Sequence, residues 1–93
     1  MYYWKLDLCK LQYGVTGNFI EKKTFLKNFK TQKLLTDFIE KEIIKMRKKG
    51  RRNMRVSIIY CENKHFPTRI RYVVSNFCVF DAHKIFTHQD IIF

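Results

Sequence analysis

The stretch TQKLLTDFIEKEIIKMRKKGRRNMR, residues 31–55, decides the fold. Leu34, Leu35, Phe38, Ile39, Ile43 and Met46 recur in it at helical spacing and make one apolar stripe. Thr31 stands where its hydroxyl can accept from an unpaired amide of the first turn. Gly50 stands just past the end, where a left-handed backbone costs least without a Cβ. Lys45, Arg47, Lys48 and Lys49 crowd the last turn, at the negative end of the helix dipole, and Arg51, Arg52 and Arg55 continue the run. From Lys45 to Arg55, seven cations and no anion fall within eleven residues. Glu42 lands near the middle of the apolar stripe, which puts it at the edge of the packing beside a neighbouring Lys or a sheet Arg. Ile44 lands on the solvent side.

Working outward, residues 2–13 alternate as a strand, with Tyr2, Trp4, Leu6 and Leu8 on one face and Lys5, Asp7 and Cys9 on the other. Residues 14–18 hold two glycines and read as a turn. Residues 19–29 read as a second, antiparallel strand, with Phe19, Phe25 and Phe29 in one phase and Ile20 and Leu26 in the other. Beyond the basic bend, residues 54–61, 68–75 and 77–80 read as three strands of a meander. A loop containing Pro67 and a turn at Ser75-Asn76 separate them. Residues 81–93 lack a clear period and read as a short helix followed by an edge strand through Ile91, Ile92 and Phe93. The expected fold is a single α+β domain of residues 1–93. It is a mostly antiparallel sheet, in the order β-β-α-β-β-β along the chain, packed on one long amphipathic helix. The opposite face of the sheet then collects Arg55, Arg69 and Arg71, provided the register does not slip by one.

The global charge is +11 on 93 residues, and like charges at this density repel one another until an acidic partner relieves them. Nucleic acid, an acidic protein or an anionic membrane would meet that requirement, nucleic acid most commonly, and the partner expected is nucleic acid or an acidic protein or ribonucleoprotein. Apolar residues at 46% and aromatics at 16% exclude a disordered tail. No apolar run approaches the roughly 18 residues that span a bilayer, so no membrane partner is expected. Three cysteines without a short-spaced pair, and an N-terminus without a basic-then-apolar signal, fit the reducing cytoplasm.

Three chemistries follow from these residues. The first is binding: Lys45, Arg47, Lys48, Lys49, Arg51, Arg52 and Arg55, extended by Arg69 and Arg71, would neutralise RNA or DNA phosphates and release counterions. Exposed aromatics such as Tyr3, Tyr13 or Phe77 would add base stacking. The second is inhibition: a phage or mobile-element protein could turn the same patch on an acidic surface, or on the nucleic acid of a nuclease complex such as a CRISPR effector. The third is a metal-free ribonuclease toxin, with Glu62, His65, Arg69 and Arg71 around one hairpin and His83 or His88 as further candidates. The expectation is a binding protein and not an enzyme. Cys61 and His65 make one Cys-x3-His pair, short of the two pairs a zinc site usually needs, so no metal is expected. No P-loop, dinucleotide turn or nucleophile motif calls for a cofactor. Two protomers are expected to pair, if at all, through an exposed edge strand near Phe93 or Tyr3.

Trp4-x-Leu6, the turn at residues 14–18, Lys22-Lys23, and Asn28-Phe29-Lys30-Thr31 opening a helix loosely resemble the arm-DNA-binding domains of phage-type integrases. The resemblance covers roughly the first half of the chain and ends at the three strands after the helix. It implies a small sheet that reads DNA.

Overall fold

A computed structural model describes residues 1–13, 19–49, 54–65, 67–75 and 77–87, with the backbone alone at 11–13 and 19–21. The 14–18 turn, Gly50, Arg51, Arg52, Asn76, His88 and the 91–93 strand lie outside the described residues, as does the Tyr13 side chain. The elements run β1 (Tyr2–Tyr13), β2 (Phe19–Phe29), α1 (Gln32–Lys48), β3 (Val56–Cys61), β4 (Arg69–Val74) and β5 (Cys78–Phe86). All four strand pairings are antiparallel, and the sheet order is β2-β1-β5-β4-β3. This is the α+β architecture the sequence predicts, one helix against one sheet.

The helix starts where the cap chemistry places it, with the Leu34 N–H donating to Thr31 Oγ1 at 3.2 Å. Leu35, Ile39 and Ile43 are its buried stripe. They meet Trp4, Leu6, Phe29, Ile70, Tyr72, Val74, Cys78, Phe80 and Ala82 on one face of the sheet. Burial, with the charges of Tyr60 and Glu40 adding to it, pushes the Tyr72 phenol up to about 12, so it stays neutral in this core. Leu34, counted in the stripe from its spacing, is instead 53% exposed on the helix flank. Glu42 is half-buried and accepts from Lys45 Nζ at 3.2 Å, and Ile44 faces solvent, both as expected.

Three expectations are corrected. Residues 81–86 form no helix; they are the second half of β5, the central strand. Cys78 to Ala82 are all buried, so both faces are covered and the polar alternation that would mark a strand is missing. The second correction concerns β2, where Leu6 pairs with Lys27 but Asp7 pairs with Phe25. Leu26 is the extra residue of a bulge. The bulge sends Phe29 under the helix beside Trp4, while Phe25, nominally in the same phase, is 53% exposed on the other face. Third, the strand carrying Tyr3 is no edge, because β1 lies between β2 and β5.

The packing predicts a sharp contrast along one helix. Ile39→Ala should lower the unfolding free energy by about 2–5 kcal/mol through lost burial and a residual cavity. Leu34→Ala, one turn earlier on the exposed flank, should cost less than about 1 kcal/mol. Urea titration followed by circular dichroism reads both.

Candidate nucleic-acid interface

The positive residues fall into two groups with different surroundings. The first surrounds the end of α1. Met46 and Ile43 hold the last turns against the sheet, and Met54 is buried again where the chain returns. Between these anchors the cations have nowhere to go but outward: Lys45, Arg47, Lys48, Lys49 and Arg55 are all exposed. At about 100° per residue they fan around the solvent half of the helix end and do not line one stripe. The Lys49 N–H closes the helix onto Lys45 O and Met46 O, both at 3.2 Å. Arg55 is held by its backbone alone. Its N–H donates to Ser75 Oγ at 2.7 Å, and its carbonyl accepts from the Ser75 N–H at 2.8 Å. Ser75 takes a left-handed φ of 42° to make this clamp. The Arg55 side chain is therefore free while its position is fixed. No carboxylate among the described residues pairs with Arg47, Lys48, Lys49 or Arg55, and Lys45 shares only the half-buried Glu42.

The second group lies on the sheet face away from the helix. There Arg71, Asp81 and Asp7 stand side by side on β4, β5 and β1, with Arg69, His83 and Lys5 in the adjacent row. Asp81 is 2% exposed and is the hub. Arg69 grips it bidentately, Nε to Oδ1 at 3.0 Å and Nη2 to Oδ2 at 2.8 Å. His83 Nε2 lies 3.3 Å from Oδ2, and Arg71 Nε lies 4.0 Å from Oδ1. Asp7, equally buried, has Lys23 Nζ at 3.5 Å. Burial by itself would raise the Asp81 carboxyl. The Arg69 hydrogen bonds, with the charges of His83, Arg69 and Arg71, outweigh it and hold the carboxyl below the usual range. The same bond raises the Arg69 guanidinium, against the opposing pull of its desolvation.

Arg69 and Arg71 thus lie on the outer face, where alternation puts them; Arg69 is committed to the Asp81 carboxylate by two hydrogen bonds, and Arg71 approaches it only to 4.0 Å, with its Nε making no hydrogen bond. Sequence reading passed over Asp7, Asp81, His83 and Lys23 as parts of any network. A signal was present, since Asp is depleted from strand interiors and one placed there usually has a cationic partner. Of the ribonuclease candidates, Glu62 and His65 are exposed in the β3–β4 loop, and Arg69 and Arg71 are drawn to Asp81 instead. Among the stacking candidates Phe77 is exposed and Tyr3 is half-buried. The described residues hold no cluster of three or more groups fit for a metal ion, and no helix among them is long and apolar enough to cross a membrane.

A shallow cleft of about 410 Å³ opens between the end of β2 and the first turns of α1. Phe29, Phe38 and Leu34 line it, with Lys27, Lys30 and Lys41 around them. Asp37 and Asn28 also line it, so its rim is mixed, three lysines against one carboxylate, over an apolar floor.

Comparison of the chain with protein-family models, curated proteins and solved structures returned no match.

The Asp81 network makes a signed prediction. Its carboxyl is depressed in the folded state, so its contribution is complete above about pH 4, the ordinary range of an unfolded Asp, and is lost as pH falls through the lower folded value. Asp81→Asn leaves two arginines without their counter-charge and should cost about 3 kcal/mol at neutral pH. The variant's stability should then fall less steeply than the wild type's in acid. Denaturant titrations at several pH values measure both.

Proposed function

We propose that this protein binds the phosphate backbone of RNA or DNA with the end of α1 and the bend that follows it. The observation that carries this reading is the set Arg47, Lys48, Lys49 and Arg55, exposed and without carboxylate partners among the described residues. Charges that fold into internal pairs have already used their electrostatic attraction. These four have not, and each phosphate they neutralise releases counterions. Lys45 joins them readily, because its exposed pair with Glu42 is worth at most about 1 kcal/mol. Arg51 and Arg52 belong to the same run in sequence.

Arg69 and Arg71 take a different role in this proposal. Arg69 holds Asp81 with two hydrogen bonds and Arg71 stands 4.0 Å from the same carboxylate, so in this reading both add to the field on the sheet face and neither is the primary phosphate contact. The chemistry we propose is binding; among the described residues Glu62 and His65 are both exposed and no ion pair links them. Three free cysteines fit a reducing compartment, and we place the protein in the cytoplasm.

Fluorescence anisotropy with labelled single- and double-stranded RNA and DNA tests the reading. Affinity should fall by orders of magnitude between about 50 and 200 mM salt. Lys48→Glu combined with Lys49→Glu should lower affinity at least about tenfold and flatten the salt slope by about two. Arg69→Gln should leave that slope unchanged. A charge-reversed helix end that binds as tightly as wild type would overturn the proposal. So would nuclease-treated protein that ignores every probe and instead co-purifies with an acidic protein, the behaviour of an inhibitor.

A further inference from the structure

The two edges of the sheet are built differently. β2 forms one edge and carries Lys22, Lys23 and Lys27, the kind of charge that keeps an edge strand from pairing with another chain. β3 forms the other, and among the described residues its only strand neighbour is β4. Its sequence is Val-Ser-Ile-Ile-Tyr-Cys, with no charge, no proline and no glycine. Ile58 is 45% exposed and Ile59 is 47% exposed. Ile58 shares a face with Tyr72, on the helix side, and Ile59 shares the other face with Arg71. An unguarded edge of strong β-formers with apolar side chains on both faces is a template for one more strand.

We infer that β3 pairs with β3 of a second copy, antiparallel, to make a closed dimer with one continuous ten-stranded sheet. Charge selects this occupant and this direction. The chain carries +11, so two copies can approach only along a strip that bears no charge, and Val56–Cys61 is such a strip. Exposed Arg55 precedes it and exposed Glu62 follows it. An antiparallel pair sets the Arg55 end of each copy beside the Glu62 end of the other, whereas a parallel pair would stack Arg55 on Arg55. The axis of an antiparallel pair is perpendicular to the sheet, so both helices lie on the same face and Ile58 and Ile59 meet apolar counterparts. Pairing consumes both bare edges and leaves only the two lysine-bearing β2 edges at the ends. The assembly therefore stops at two.

Sedimentation equilibrium on nuclease-treated protein, in about 0.3 M salt to screen the repulsion, tests this. At about 100 μM the wild type should show twice the chain mass of 11.4 kDa. Ile58→Lys and Ile59→Lys, each at a half-exposed position, should return the single-chain mass with an unchanged circular dichroism spectrum. Arg55→Glu should weaken association at least about fivefold, and adding Glu62→Arg should restore it, a rescue specific to the antiparallel direction. Wild type that stays at the single-chain mass would overturn the inference. So would a dimer that survives both lysine variants, or a mass that climbs without limit as concentration rises.

Discussion

Asp81 sits in the middle strand of a sheet that has, among the described residues, one helix to cover it. One face is closed by Leu35, Ile39 and Ile43; the other has no second layer among the described residues. The chain nevertheless buries Asp7 and Asp81 on that open face. Long cationic side chains do the covering there, with their stems over the strands and their charged heads drawn to the carboxylates. A buried ion pair adds little over a well-packed apolar pair, but it is severely penalised when broken. Its effect is to choose a register. Slipping β5 by one residue would turn Asp81 under the helix, against the apolar core formed by Leu35 and Ile39, and would strand Arg69 and Arg71.

That commitment divides the chain's positive charge into a bound and an available fraction. Arg69 on β4 faces outward but answers to Asp81, whereas Arg47, Lys48, Lys49 and Arg55 have no carboxylate partner among the described residues. A surface map of charge would make the two groups look alike. Their chemistry differs because a guanidinium already holding a carboxylate bidentately must give up two short hydrogen bonds to take a phosphate, while an exposed, unpaired lysine gives up only water. Among the described residues, available charge therefore concentrates at the C-terminal end of α1, where the helix dipole is negative, and not on the sheet face.

Much of this was legible in the residues. The 3.6-residue recurrence from Leu35 to Met46, the Thr31 cap and the alternation of residues 2–9 each follow from local rules, and the helix and first hairpin appear where those rules put them. What stayed hidden depended on neighbours. Asp81-Ala82-His83 reads as strand only once β1 and β4 are known to flank it, since burial on both faces erases the period. The Leu26 bulge leaves no mark beyond a confused phase between Phe25 and Phe29. The destination of Arg69 and Arg71 was out of reach for the same reason. A side chain's face follows from its own strand, but its partner follows from the strand beside it, and from Asp81 onward that strand's sequence reads as a short helix.

The two edges of the sheet show one rule applied unequally. Lysines on β2 keep the hairpin side from pairing, and they also add to the excess charge that repels a second copy. A similar guard on β3 would have been easy to supply, since a single Lys in place of Ile58 or Ile59 would do it. Its absence beside a bend rich in Arg and Lys is the informative feature. In the inferred antiparallel pair the starts of the two β3 strands would stand about 20 Å apart, the length of a six-residue strand. If the proposed phosphate binding holds, one polyanion could contact the basic residues of both copies, the second contact being made at the high effective concentration of a linked site. The ligand would then neutralise the charge that opposes pairing.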